Sequence, residues 1–503
     1  MQSDEGNKTY DIIDGQQRLS TFILLAKVLA TLYSIDDKYQ RYLQESWSDR
    51  HEDGEKKKRK RLDFDLVGSS AKKDFQDALD FFDDLDASKG KNSYKNSYLK
   101  NAICLKNYLE KKEIEDINHF IRWLYLRVNF ITITCSDTDM ALRIFNVLNA
   151  RGLPLHATDI FKGELLKKLT EEKEQEELAT RWENLRQKCL DNGFAMETLF
   201  SQHLTYLHPV TSKERMRIRL NTQFDELQKS PLEYIDVVED FYKAYCEVLE
   251  MQDRHAHLLS YLKDNYWRAI LCASILHDYS KIEDLKKLLV KFYYQHWVAK
   301  KPKDQREQTC CNIIKALKEK KSMEHIVSIV RKNLDEYSVT QHFKENLRDD
   351  HLYEKHQKSP NNSWLRPILI LVEYFISDDP KPKRIQTNDF HIEHILPQNP
   401  DSSSQWVKDF SEEERERYTH SLANLTLLGG TKNAEASNLD FKEKKEIYMM
   451  GKPVALDKKK TSRVMTCYDT TKYIAHHYAE WTPKSLEERE KDLMSIIESV
   501  LTL

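Results

Sequence analysis

Four residues in the last quarter of the 503-residue chain have the types that phosphodiester hydrolysis requires: Glu393, His394, Asn424 and Asn433. The first two lie in FHIEHILPQNP, residues 390–400, with His391 beside them. Such hydrolysis needs a base to deprotonate water, and a hard divalent cation to stabilise charge on the phosphate and the leaving oxygen. An unperturbed imidazole, with a pKa of about 6.5, is largely neutral at neutral pH, so His394 fits the base. Mg²⁺ prefers oxygen ligands and retains waters, so one carboxylate and one amide carbonyl, Glu393 and Asn433, are a sensible protein share. Asn424 is placed to brace the loop through its amide.

These residues need two short strands and a helix to meet. The 390–400 stretch reads as a strand stopped by Pro397, NLTLL (424–428) as a second strand, and Gly429-Gly430 as a reversal that brings Asn433, at the start of the next helix, back near the first strand end. Strict alternation puts His391 and Glu393 on one face and His394 on the other, so the site requires the strand to end there. His391 stands as a competing ligand or base.

A second candidate opens the chain. YDIIDGQQRLSTFILLAKVLATLY reads as a short strand, a tight turn at Asp14-Gly15 and a helix with Leu19, Phe22, Ile23, Ala26 and Leu29 on one stripe. A turn followed by Gln16, Gln17 and Arg18 at a helix start suits an anion, because Arg18 offers a fork and the helix end offers free N–H groups. IFNVLNARGLPLHATDIFKGELL (144–166) adds Asn149, Arg151, Gly152, Asp159 and Lys162 around another turn and helix start, although Asp159 and Lys162 also suit helix capping and a solvated face. No G-x-x-x-x-G-K-[ST] occurs, so a triphosphate would be bound without a P-loop.

Composition sets the frame. With 11 Gly, 12 Pro and 32% charged residues, the chain reads as mainly α with small α+β elements, in at least two domains. The expected division is residues 1–169, a helical bundle at 170–377, a charged, proline-bearing linker at 378–388 and a small α+β unit at 389–503. RVNFITITC (127–135) reads as a buried strand, and Ser136 to Asp139 as the cap of the helix MALRIFNVLN. A net charge of −3 gives no global sign of a polyanion partner, so DNA must be met by local patches. EKKKRKR (55–61) reads as a solvated loop, and Tyr293, Tyr294 and Trp297 as bundle core rather than a stack for an extruded base. The eight scattered cysteines carry no zinc spacing and read as reduced, mostly buried thiols. No long apolar run and no signal-peptide order are present, so a cytoplasmic protein without a membrane partner is expected.

IEHILP, NLTLL, Asn433 nine residues after Asn424, SNLDFKEKKEIY, and the late Trp481 with Arg489 together resemble the His-Asn-His (ββα-metal) nuclease domain of GmrSD-like modification-dependent (type IV) restriction endonucleases. The resemblance implies His394 as general base, Glu393 and Asn433 as ligands of Mg²⁺ (or Mn²⁺), Asn424 as orienter of the loop, and Lys444 as a phosphate contact. DGQQR and N-x-R-G-x-x-L resemble the N-terminal domain of the same family, which is similar to the ParB/sulfiredoxin-type α/β fold. There the resemblance implies a site for a nucleoside triphosphate (GTP, UTP or ATP), lined by Asp14, Gly15, Gln16, Gln17 and Arg18 with Asn149 and Arg151. Relatives usually carry several dozen residues before this signature, whereas 13 precede Asp14 here, which implies a shortened pocket. The expected function is an NTP-linked, metal-dependent endonuclease, with NTPase activity, cutting or nicking modified double-stranded phage DNA, compatible with a homo-oligomer. Two rivals stand beside it: a non-cleaving DNA-binding regulator, and a nuclease toxin acting on RNA or unmodified DNA.

Overall fold

The structure is a computed structural model that describes residues 12, 14–49, 59, 60, 62, 69–82, 96–111, 114–135, 140, 141, 144, 156–377, 379, 381–450, 453–457, 460–463 and 466–503. The described chain is mainly helical, with six short strands paired as three antiparallel ladders. The strands are β1 (Ser48–Asp49), β2 (Arg59–Lys60), β3 (His391–His394), β4 (Leu425–Leu428), β5 (Pro453–Asp457) and β6 (Lys460–Arg463). This agrees with the mainly α composition. Among the described residues no helix is long and apolar enough to cross a membrane.

Two compact units divide the chain. The first comprises Met1–Glu197 with Arg215–Val237, the second Thr198–Glu214 with Val238–Leu503. In the first, helix Gln16–Leu32 buries Ile23, Leu24, Ala26, Val28 and Leu29 against helices Ser69–Asp80, Ser97–Lys111 and Ile117–Arg127. The expected stripe is shifted: Leu19 is exposed and Phe22 half-buried, while Leu24 and Val28 enter the core. A second apolar group joins Phe161, Trp182, Phe224 and Tyr234, with ring centroids 5.4–6.3 Å apart.

The strand expected at 127–135 does not form. Arg127 ends a helix, residues 128–135 carry no ladder, and Phe130, Ile131 and Ile133 are exposed. β-branched composition favours a strand only where a partner supplies hydrogen bonds. Of the expected N-terminal α/β sheet, the described residues hold only the two-residue pairing of β1 with β2. The strand before Asp14, the Ser136–Asp139 cap with most of its helix, and most of EKKKRKR lie outside the described residues.

In the second unit, helix Ile282–Val298 runs through the core, and the final helix, Pro483–Leu501, returns to it: Gln295 Nε2 donates to Leu501 O at 2.6 Å, and Lys344 Nζ to Glu498 Oε2 at 2.7 Å. The described residues of the expected linker carry no helix or strand, and residues 238–503 on both sides of it form one compact unit with Thr198–Glu214. Tyr261 Oη donates to Ile385 O at 2.6 Å, and Arg366 donates to Thr387 O and Phe390 O at 2.6 and 2.8 Å. On the same helix as Arg366, Leu365–Ile376, Glu373 accepts the amides of Asp469 and Thr470, closing the start of helix Asp469–His477. Charge and proline gave this stretch the composition of a linker, yet its backbone is pinned on both sides.

Candidate active site

β3 and β4 pair in register, His391 with Leu428 through His394 with Leu425, and helix Gly430–Ala436 follows after Gly429. A ββα unit results, and β3 ends at His394, which is the condition the alternation argument set. Glu393 turns to helix Phe441–Met449 while His394 turns to Tyr353 and His420. With the strand finished, His391, Glu393, His394 and Asn433 all line one cavity of about 320 Å³, together with Tyr353, Arg366 and Gln398.

Glu393 is buried. Its Oε1 accepts from Lys444 Nζ at 2.8 Å and Tyr448 Oη at 2.9 Å. Burial pushes this carboxyl above the usual range, and the ammonium and hydroxyl beside it oppose the push. Lys444 is fully buried and also donates to His394 O at 2.7 Å. It therefore does not reach phosphate, contrary to the role implied from sequence; its charge is spent inside the fold, fixing Glu393 and the end of β3.

His394 packs edge-on against Tyr353, with centroids 4.3 Å apart, and against His420 at 5.5 Å. Its Nδ1 lies 3.4 Å from Gln398 Nε2, and its buried Nε2 has no hydrogen-bond partner. Burial, with His420 and Lys444 adding to it, brings its pKa down to about 3, so the ring is neutral at ordinary pH. Asn433 Oδ1 is likewise buried and unpartnered.

Asn424 is fully buried and staples the turn. Its Oδ1 accepts from Leu396 N at 2.7 Å and Trp481 Nε1 at 3.3 Å, and its Nδ2 donates to Leu396 O at 2.8 Å and Thr419 O at 2.9 Å. Arg489 donates to Leu425 O at 2.8 Å. Trp481 and Arg489 thus bear directly on the loop entering β4. His391 is exposed, and a Cβ on Gly430 would come within 3.2 Å of its Nε2, so glycine there admits the imidazole.

Sequence reading missed Tyr353, His420 and Arg366. Among the described residues Arg366 is the only lysine or arginine lining the cavity, and its NH1 is tied to the carbonyls of Thr387 and Phe390 ahead of β3. Tyr353 and Arg366 fell within a stretch read as bundle; only their packing on β3 reveals them.

At the other end, Gly15 takes φ +100° as the cap of helix Gln16–Leu32, bearing out the turn. Asp14 accepts from Gly15 N at 2.7 Å and pairs with Arg18, both side chains at least half exposed, and Gln16 and Gln17 are exposed. Asp159 sits in the first turn of helix Ala157–Lys167, where a carboxylate favours the helix start, and burial lowers the pKa of Lys162. Among the described residues no hydrogen bond or ion pair joins these two groups. Asn149, Arg151 and Gly152 lie outside the described residues.

Residues 337–496 match the family profile described as GmrSD restriction endonucleases, C-terminal domain, and residues 1–166 that of the GmrSD restriction endonuclease, N-terminal domain. The C-terminal match begins well before the expected boundary at 389 and takes in Tyr353 and Arg366. No curated protein matches the chain.

Proposed function

The chain belongs to the GmrSD restriction endonucleases, and from that premise we propose that it cuts or nicks modified double-stranded DNA at the ββα site with a divalent metal ion, under control of a nucleoside triphosphate bound by residues 1–169. One observation carries the reading: two buried polar atoms without partners, His394 Nε2 and Asn433 Oδ1, belong to residues lining a single cavity. Buried polar groups are ordinarily hydrogen-bonded, so orphans at one cavity call for water, a cation or a substrate oxygen.

The residues present fit Mg²⁺ or Mn²⁺. Asn433 offers a free amide oxygen, and Glu393 commits only Oε1 to Lys444 and Tyr448. Two oxygen donors suit a hard cation that keeps most of its waters. When bound, the ion stabilises charge on the phosphate and the leaving oxygen. His394 Nε2 accepts the proton of the attacking water; this uses the tautomer with its proton on Nδ1, for which the Gln398 amide turns its Oε1, not Nε2, toward Nδ1. Tyr353 and His420 hold the ring, and Asn424 fixes the turn against which Leu396 and β3 end. Arg366 offers a cation to the phosphate.

The nucleotide role rests on the N-terminal family match and on the turn at Asp14-Gly15. Restriction of phage DNA in the cytoplasm is part of the same proposal. Mn²⁺ binding, read by electron paramagnetic resonance, tests the metal assignment: Asn433→Ala is expected to weaken it, and unchanged binding in that variant would move the metal elsewhere. Turnover of GTP, UTP and ATP by Arg18→Ala tests the nucleotide assignment; undiminished hydrolysis would remove Arg18 from the site.

A further inference from the structure

A second cavity, of about 740 Å³, lies in the same compact unit as the ββα site. Its volume is within the roughly 300–1,000 Å³ typical of ligand pockets. Its wall is basic. Arg306 is matched by Asp264, Lys303 by Glu307 and Lys355 by Asp349. Lys263 is held by the neutral Asn362 Oδ1 at 2.9 Å, Lys300 shares the field of Asp349 with Lys355, and Lys301 forms no salt bridge among the described residues.

The same wall is aromatic. Tyr293 and Tyr294 are core, as their sequence context suggested, but half-buried Trp297 lines the cavity with Trp364, its ring fixed by Nε1 donating to Asn362 O at 3.1 Å. Buried His356 lines it too, with Nδ1 lacking a hydrogen-bond partner. An excess of cations beside flat aromatic surface suits a phosphate with its base.

The two cavities share walls. On helix Leu352–Lys358, Leu352, Lys355 and His356 line the larger one while Tyr353 lines the active-site cavity; at the start of the next helix Leu365 lines the larger and Arg366 the smaller. A helix is about 10–12 Å across with its side chains, so a strand whose phosphate lies at His394 has neighbouring nucleotides within reach of the second cavity.

We propose that this cavity receives a nucleotide turned out of duplex DNA beside the scissile phosphate, its base against Trp297 and Trp364 and its phosphates on Lys263, Lys300 and Lys301. The inference rests on the nuclease reading and adds to it the place where the enzyme inspects a base. Extrusion is costly for a paired base and least so for a mispaired one.

The test measures binding of the full chain, in EDTA, to a matched duplex and to the same duplex carrying one mismatch. The parent protein binds the mismatched duplex more tightly, Trp297→Phe keeps that preference and Trp297→Ala loses it. The rim variant Lys300→Ala/Lys301→Ala lowers the slope of log affinity against log salt by about 2. Equal binding of both duplexes by the parent, or an intact preference in Trp297→Ala, overturns the proposal. So does competition by free ATP, GTP or UTP that disappears in the rim variant while DNA binding stays whole, which would make this a free-nucleotide site. His394→Ala separates the two readings: it keeps the mismatch preference and loses cleavage in Mg²⁺. Cleavage through His394 without any preference sinks the cavity alone, and a preference with undiminished cleavage in His394→Ala sinks the nuclease assignment alone.

Discussion

At the scale of single residues, the Glu393–Lys444 pair sets the character of the site. The two charges are buried together, and breaking such a pair from one side costs about 3–5 kcal/mol because it strands the other charge. Lys444→Met is therefore expected to lower the unfolding free energy by about that amount, and adding Glu393→Gln to restore much of it; a denaturant double-mutant cycle checks this, and additive effects would mean the two do not interact. Gly430→Ala crowds His391 and leaves His394 in place, so DNA nicking by that variant persists if His394 is the base. Lys444 also marks where sequence reading fell short. The resemblance implied a phosphate contact, but Phe441, Lys444, Ile447 and Tyr448 fall at i, i+3, i+6 and i+7, the spacing of a buried stripe, and all four are buried. The signal was present in the spacing. Tyr353 and His420 left no comparable trace, since nothing in their local sequence points to a strand some 30 to 40 residues away.

At the scale of elements, the C-terminal ββα unit was legible because each device is local: a proline that stops β3, a glycine pair before the helix, and asparagines in register. Asn424 shows how the devices join, holding the amide and the carbonyl of Leu396 at once. Asn424→Ala leaves both of these buried groups unpaired, at about 1–3 kcal/mol each, so thermal unfolding is expected well below that of the parent, with nicking reduced further than the loss of folded protein explains. An unchanged melting temperature would show that the turn holds without the amide. The 127–135 stretch failed for the opposite reason, because a strand is defined by its partner and residue type alone cannot supply one. The segment at 378–388 failed similarly: composition reports solubility, and Tyr261, Arg366 and Tyr374, all outside it, decide that it is strapped down.

At the scale of the whole molecule, the second unit carries the proposed catalytic residues on a core that continues from helix Ile282–Val298 to the last helix, so its stability bears on the proposed activity. His203 and His296 lie in that core fully buried, with pKa values pushed down by burial to about 3 and about 4. In the unfolded chain each binds a proton near pH 6.5, so between that pH and the folded value the unfolded state holds more protons. Their contribution to stability is complete above about pH 6.5 and is lost as pH falls through the window, by about 1.4 kcal/mol per pH unit for each. Urea midpoints measured from pH 7 to pH 4.5 should fall accordingly, and His203→Phe should flatten the fall; an equal fall in that variant would assign the acid sensitivity to other groups.

The most direct measurement is nicking of supercoiled plasmid and of modified phage DNA by the purified chain, in Mg²⁺ or EDTA, with and without nucleoside triphosphate, beside His394→Ala. The expected result is cleavage of modified DNA that requires Mg²⁺ and falls by about 10²–10⁴-fold in His394→Ala, the usual worth of a general base, while DNA binding persists. Full cleavage by His394→Ala, or cleavage undiminished in EDTA, would contradict the account.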